Sequence, residues 1–494
     1  MTSGTDPVVV IGAGPVGLAA AAHLVEQRLP FVVLEAGERV GASVRQWGHV
    51  RLFSPWRFDI DTAARRLMDS GGAVVPDDGG MPTGDDLVEE YLQPLAKLPD
   101  LAPHIRFGAQ VTAIGRRGVD RVRSTERESA PFVVRLADGE EIRAGAVIDA
   151  SGTWRTPNVL GGNGLPAHGE RDAAAWIDHA MPDVLGVDRD KYAGRHTAVV
   201  GAGHSAATTL LALAELADVA PGTRVTWVIR STSPDRAYGG GADDQLPARG
   251  ALGSGLRLLV DSGRVDLVEG FAVEAVQPLT GTAGAVELVA TGADGRRRHL
   301  VADQVVAATG YRPDWSIATE LRLELDPILQ ASRALAPLID PNVHSCGTVY
   351  PHGVDELTHP EPGFFTVGAK SYGRAPTFLM ATGYEQARSV VAALAGDWSA
   401  ARDVQLELPE TGVCSVTNGL EAITIELGLA ADVPDRLMTA TARHLGSAAT
   451  PAEAVLVAAD ELGLDHTTAL RFAAFAADQS DTRAPEDGNP TGTC

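Results

Sequence analysis

Cysteine is nearly absent: Cys346, Cys414 and Cys494 are the three in 494 residues. Their wide spacing and odd number exclude a disulfide framework or a cysteine knuckle for metal. No Cys-x-x-Cys or Cys-x4-Cys pair occurs, so attack and resolution of a disulfide within one local motif is excluded too. Positive charge is also scarce. Against 64 Asp+Glu there are 41 Lys+Arg, a balance of −23, which repels phosphate backbones and anionic lipid and argues against nucleic acid or a membrane surface as partner. No apolar run approaches the roughly 20 residues of a bilayer span. The chain enters a strand at Val8 without a basic segment, apolar stretch and cleavage site, so a cytoplasmic location is expected.

What is present is the balance of a folded enzyme, 45% hydrophobic and 21% charged. The length predicts two nucleotide-sized domains and an appendage.

Two segments, Pro7 to Glu35 and Arg195 to Arg230, share one pattern: apolar strand, glycine-rich turn, alanine-rich helix, second apolar strand. In the first, Gly12, Gly14 and Gly17 follow the strand Val8 to Ile11, and Glu35 ends the next strand 18 residues past Gly17. Gly12 makes the tight turn, Gly14 lets backbone approach a pyrophosphate, and Gly17 lets helix and strand pack closely. The helix N-terminus offers unpaired N–H groups to phosphate, and Glu35 can accept from ribose hydroxyls.

The second set is Gly201, Gly203 and Ala206, and its second strand ends in Arg230 and Ser231 instead of an acid. A carboxylate there would repel a 2′-phosphate, whereas a guanidinium pairs with one. At an effective dielectric near 20 the change of sign is worth on the order of a few kcal/mol, which favours NADPH over NADH. Arg236 is either a further phosphate contact or a solvated loop residue.

Between and after these units the sequence predicts an aromatic and polar stretch (Trp47 to Phe58), a helix over Gly84 to Leu98 begun by the capping-type Thr83, and strands at Gln110 to Ile114, Phe132 to Leu136 and Glu141 to Ile148. Val305 to Gly310 reads as the strand that returns the chain to the first domain. Leu406 to Asp478 reads as helical, bounded by Pro409, Pro434 and Pro451, with a polar tail from Gln479. The expected fold class is α/β, with two Rossmann-like dinucleotide-binding domains, a small antiparallel meander and a C-terminal helical extension. The expected boundaries are 1–160 and 305–400 for the first domain, 161–304 for the second and 401–494 for the extension.

Two further segments, Ala150-Ser151-Gly152-Thr153-Trp154-Arg155-Thr156-Pro157 and Ala308-Thr309-Gly310-Tyr311-Arg312-Pro313, complete a resemblance to the two-dinucleotide-binding-domain flavoproteins. That superfamily includes disulfide reductases of the thioredoxin reductase type and class B flavin monooxygenases, and the resemblance spans residues 7 to 396. It implies FAD at the first glycine turn and NADPH at the second, with Ser151, Gly152, Gly310 and Tyr311 lying against the dinucleotides and His204 and Tyr311 beside the nicotinamide end. The segment Gly363 to Gly368 is similar to the family's closing segment, but Ala369 and Lys370 stand where disulfide reductases carry an aspartate. A helix starting near Thr377 would aim its amides at the flavin C2 carbonyl. Pro15, Ala36, Val111, Ser205, Gly368 and Phe378 complete the expected cofactor-binding set, and no metal site is expected.

Without a local dithiol, electrons from NADPH must leave the flavin for oxygen, an organic acceptor or another protein. The Gly-x-Trp-x-x-Pro form of the first crossover resembles class B monooxygenases, which implies oxygen transfer to a small molecule through a C4a-(hydro)peroxyflavin. The family's Phe-x-Gly-x-x-x-His fingerprint is missing, although His179 falls in the right interval. Trp47, His49, Arg51, Ser54 and Trp56 are the pocket candidates, with Trp47, Arg51 and Ser54 as catalytic residues; the same stretch also reads as a packing loop under the FAD. Two other readings stand beside the monooxygenase: an NADPH-dependent reductase of a thiol, quinone or protein acceptor, and a non-catalytic redox sensor whose helical extension binds a partner. A homo-oligomer is compatible with each.

Overall fold

The computed structural model describes residues 6–179, 181–239, 246–279, 284–342, 352–376, 378–406, 433–444, 451–464 and 469. The three cysteines, Thr377, Pro409 and the tail from Gln479 lie outside those residues. The chain divides into a larger unit, Met1–Asp340 with Thr348–Gly412, and a smaller one, Pro341–Gly347 with Val413–Cys494.

The larger unit begins with β1 (Val8–Ile11), α1 (Pro15–Glu26) and β2 (Phe31–Leu34). All four residues of β1 are buried, as a strand covered on both faces of a parallel sheet requires. After α2 (Thr62–Ser70) come β3 (Ile105–Arg106), β4 (Val111–Arg116), β5 (Phe132–Leu136), β6 (Glu141–Ala144) and β7 (Ala146–Asp149).

The second sheet draws on β8 (Ile177–His179), β9 (His196–Val200), β10 (Arg224–Val228) and β11 (Asp266–Val268), with α3 (His204–Val219) and α4 (Pro247–Asp261) between them. An antiparallel set, β12 (Ala275–Pro278), β13 (Val286–Thr291) and β14 (Arg297–Ala302), precedes β15 (Gln304–Ala307). The chain then returns through β16 (Phe364–Thr366) and α5 (Met380–Leu394).

The first sheet has the order β16–β7–β1–β2–β3 and the second β11–β10–β9–β15–β8, and both are parallel. Ile11 registers with Leu34 and Asp149, and Asp149 with Thr366. Four strand ends therefore share one carboxyl edge, the edge at which open α/β sheets bind ligands.

Small residues let helices close over the first sheet. Ala19, Ala20, Ala21 and Ala22 of α1 are fully buried, and a Cβ on Gly383 of α5 would stand 2.6 Å from Val16 Cγ2. The meander β4–β5–β6 is tied to the segment entering β16 by a buried triad. Glu361 accepts from Arg116 Nε and Arg127 Nη2, each at 2.7 Å, and the Arg116 guanidinium lies 3.6 Å from the Phe132 ring centre.

The structure differs from these expectations in four places. Glu141 to Ile148 divides at Gly145, β6 closing the meander and β7 joining the central sheet, with the Gly145 N–H donating to Pro7 O beside β1. β15 does not carry the chain home: it pairs with β9 and β8, and the return follows it, after residue 307. The sheet β12–β14 had no counterpart in the expectations. The Thr83 cap is present as a full capping box with Asp86, but the helix behind it contains a π-helical stretch, Leu87–Leu92, and ends at Ala96.

In the smaller unit, α6 (Val433–His444) and α7 (Pro451–Glu461) share a core that includes Leu437, Ala440, Ala458 and Ala459. Pro434 and Pro451 sit in first turns, where a missing N–H costs no helical hydrogen bond. Among the described residues no helix is long and apolar enough to cross a membrane.

Candidate cofactor and active site

Each glycine turn presents an open helix N-terminus. Gly14 and Gly203 cap α1 and α3 without any side-chain cap, and nothing stands within 4 Å of where a Cβ on either would be. Neither first turn carries an acid. Unsatisfied amides, the positive end of the helix dipole and free space coincide twice, the fit a dinucleotide pyrophosphate needs.

The first glycine of each turn is pressed against a crossover. Gly12 has φ +101° and its Cβ would lie 2.8 Å from Ala150 O; Gly201 has φ +140° and would meet Ala308 O at 2.1 Å. These contacts bring Ser151 and Gly152 to the first cradle, Gly310 and Tyr311 to the second. Gly17 packs against the turn itself, its Cβ position 2.0 Å from Gly12 O.

The two strand ends differ in kind. Glu35 takes the Ala13 N–H on Oε2 and the Gly37 N–H on Oε1, both at 2.7 Å. Arg230 is exposed and donates to Gly162 O at 3.3 Å, while the exposed Ser231 hydroxyl donates to Ser233 O. Arg236 is exposed as well.

An aromatic series runs between the cradles. Trp154 of the first crossover stacks on Tyr311 of the second at 4.9 Å, and Trp47 lies 6.4 Å from Trp154. Phe53 reaches across to the His204 ring at 5.2 Å. The stretch 47–56 thus spans from the first crossover to the second glycine turn. Beside the stack is a recess of roughly 280 Å³ lined by Gln46, Trp154, His179 and Tyr311 among others. The Tyr311 hydroxyl and the Trp315 indole N–H are buried without a partner.

The candidates within that stretch separate. Trp47 belongs to the stack, and the Ser54 hydroxyl donates to Asp59 Oδ1 at 2.6 Å. Arg51 is exposed, its Nη1 donating to Met81 O at 2.7 Å; His49 is exposed and Trp56 buried.

Pro15 begins α1 beside Gly14, Ala36 follows the end of β2, and Ser205 lies in the first turn of α3. Val111 packs into the core with Ile114 and Phe132. Gly368, at φ +75°, donates its N–H to Gln386 Oε1 at 2.8 Å, and Phe378 meets Tyr372 edge-on at 5.3 Å. The helix expected to start near Thr377 is α5, which starts at Met380 with Leu379 as its cap.

Two buried groups were not among the expected site residues. Lys370, 1% exposed, pairs with Asp149 Oδ2 at 2.6 Å, bonds Ser151 Oγ at 3.3 Å and lies 5.1 Å from the Trp315 ring centre. Its departure from the reductase pattern was visible, but Asp149 reads in sequence only as the end of a strand. Asp59 is 1% exposed; burial pushes its carboxyl up to about 7, against the lowering effect of the Ser54 hydroxyl. An acid between Phe58 and Ile60 in an apolar turn was the available signal. Among the described residues no group of three or more His, Cys, Asp or Glu is placed to hold a metal ion.

Solved structures of similar fold include a bacillithiol disulfide reductase from Bacillus cereus, at 18% identity and TM-score 0.57, covering 79% of this chain and 99% of that one. A flavin monooxygenase mutant from Stenotrophomonas maltophilia matches at 21% identity and TM-score 0.51, covering 79% and 98%. The FAD-bound cadaverine monooxygenase of desferrioxamine biosynthesis from Erwinia amylovora matches at 15% and 0.54, covering 83% and 98%. A comparison with curated protein sequences finds no match. The sequence model of the pyridine nucleotide-disulphide oxidoreductases matches residues 9–346, and the chain belongs to that family of flavoprotein oxidoreductases, with FAD and a pyridine nucleotide as its cofactors.

Proposed function

We propose that this chain is a cytoplasmic monooxygenase that spends NADPH and O2 to oxidise a small molecule at a soft heteroatom or carbonyl. The observation that carries the reading is a two-cradle flavoprotein framework without any closely spaced pair of cysteines. The class B form of the first crossover, with Trp154 stacked on Tyr311, supports it. Bound FAD would supply the hydride acceptor and the reaction with oxygen.

In this reading the chain's own residues bind, orient and exclude water. The α1 amides and Glu35 hold FAD, with Gly12, Gly14, Pro15, Gly17, Ala36, Val111, Ser151, Gly152, Gly368 and Phe378 around it. The α3 amides hold the NADPH pyrophosphate, with Gly201, Gly203, His204 and Ser205, while Arg230 and Ser231 receive the 2′-phosphate and Gly310 and Tyr311 border the nicotinamide end. Trp47 and Trp154 shield the reacting face from water, Ser54 offers a hydroxyl, and Arg51 can stabilise developing negative charge after its side chain leaves Met81.

The test is aerobic NADPH oxidation by the flavin-loaded protein, with peroxide measured against NADPH consumed, over a panel of thioethers, amines and ketones. A substrate class that lowers peroxide yield while gaining one oxygen atom is the expected result. A second reading, reduction of a low-molecular-weight disulfide, is favoured by the fold shared with the bacillithiol disulfide reductase. Anaerobic turnover with such a disulfide, and none with the panel, would establish it instead.

A further inference from the structure

Asp59 ends a short turn, Trp56–Asp59, in the stretch that spans the two cradles. Its carboxyl is inaccessible to solvent. Oδ1 receives the Ser54 hydroxyl at 2.6 Å, and Oδ2 is buried with no partner at all. Buried carboxylates normally sit against a cation or several N–H donors, because an isolated ionised carboxylate in the interior costs several kcal/mol.

The groups facing this turn supply no such partner. From α5, Tyr384 donates its hydroxyl to the Asp59 backbone carbonyl at 2.7 Å, which leaves the carboxyl untouched. Tyr91 is engaged by the Asp61 N–H, and the Asp61 carboxylate is already paired with His23 Nε2 at 3.1 Å. Arg57, on the same turn, is exposed over the Phe58 ring. The remaining contact is Ser54, and its neighbour Phe53 touches His204 at the second glycine turn.

We propose that Asp59 supplies a proton, through the Ser54 hydroxyl, to the group that NADPH reduces between the cradles. The proposal rests on the flavin- and NADPH-binding reading above. NADPH delivers a hydride, two electrons and one proton, and becomes NADP+. Once the Ser54 hydroxyl has turned from Asp59 to the acceptor, the acceptor takes up the second proton from Ser54 Oγ, the Asp59 O–H bond breaks and a new O–H bond forms on Ser54. Ser54 ends as a hydroxyl, Asp59 as a carboxylate, and the acceptor carries no added charge. The carboxylate regains its proton from solvent by the reverse path before the next hydride. Ser54 is the residue that touches the reacting group, and Asp59 is a positioning residue that acts through it. Burial fits the role, since a carboxyl held near pH 7 both keeps and gives up its proton in neutral solution.

The experiment uses the flavin-loaded full chain, with Asp59→Asn and Ser54→Ala beside it. Infrared spectra of the oxidised protein, titrated from pH 5 to 9 in steps of about one unit, should show a protonated-carboxyl band that disappears near neutrality and is missing in Asp59→Asn. Anaerobic flavin reduction by NADPH, followed across the same range, should slow roughly 10- to 100-fold at pH 6 in both variants. Both should also lose the fall in rate above neutrality seen in the unmodified protein. FAD content should stay unchanged. Unaltered rates and pH profiles in both variants, or a change in Asp59→Asn without one in Ser54→Ala, would overturn the relay. A chain that takes up no FAD overturns the underlying reading instead, and the infrared band still reports whether Asp59 holds its proton.

Discussion

Where β2 ends, Glu35 is held by two backbone N–H groups, and where β10 ends, Arg230 reaches into solvent with one long contact to Gly162. The two turns that precede them are otherwise built on the same plan. Each first glycine is pinned against a crossover carbonyl, and each second glycine faces empty space. The third position separates them: Gly17 sits where a Cβ would fall 2.0 Å from Gly12 O, whereas Ala206 fits in the second turn with no exposure. In the proposed reading, the shared geometry recognises the pyrophosphate common to both cofactors, and the strand ends, opposite in charge, tell the cofactors apart.

The comparison is broken most strongly at the first cradle's floor. Replacing Lys370 by Met leaves Asp149 buried without its cation, and a loss of about 3–5 kcal/mol is expected. Chemical denaturation measures it, and a loss below about 1 kcal/mol would mean that the pair is not held as described.

Asp59 comes next, with the sign set by its raised pKa. Below about pH 4 the folded and unfolded chains both carry the proton; between there and about 7 only the folded chain keeps it, so this group's contribution to stability falls as pH rises through that window. Asp59→Asn removes the penalty. Its stability relative to the unmodified protein should grow by a few kcal/mol from pH 4 to pH 8, read from denaturation midpoints at each pH.

Gly17→Ala sharpens the contrast directly, because the added methyl meets backbone. A cost of about 1–3 kcal/mol and a loss of bound FAD are expected, measured by thermal unfolding and by flavin absorbance. Gly203→Ala should do far less to the fold, within roughly 0.5 kcal/mol, since the space is open. It should weaken NADP+ binding, read by calorimetry, by filling the room a phosphate needs.

Much of this was legible in the sequence because a glycine turn is local: strand, turn, helix and strand-end charge lie within 36 residues in the second unit, Arg195 to Arg230, and each residue's role follows from the backbone it permits. Asp149 and Lys370 meet across 221 positions, and Arg116 and Glu361 across 245, so only the fold makes either pair visible. β15 shows the same limit for strands. Its apolar run announces burial but not which sheet receives it, and that choice is made by pairing with β9. Ser54 stands out in the sequence as polar among aromatics, yet its partner, five residues on, gains meaning only from the burial around it.

The most direct measurement is calorimetric titration of the flavin-loaded protein with NADP+ and NAD+, repeated on Arg230→Glu. Binding of NADP+ at least about tenfold tighter than NAD+, with that preference lost in the variant, is expected from a guanidinium facing the 2′-phosphate, since about 1.4 kcal/mol suffices. Equal affinities in the unmodified protein, or a preference that survives the charge reversal, would contradict it.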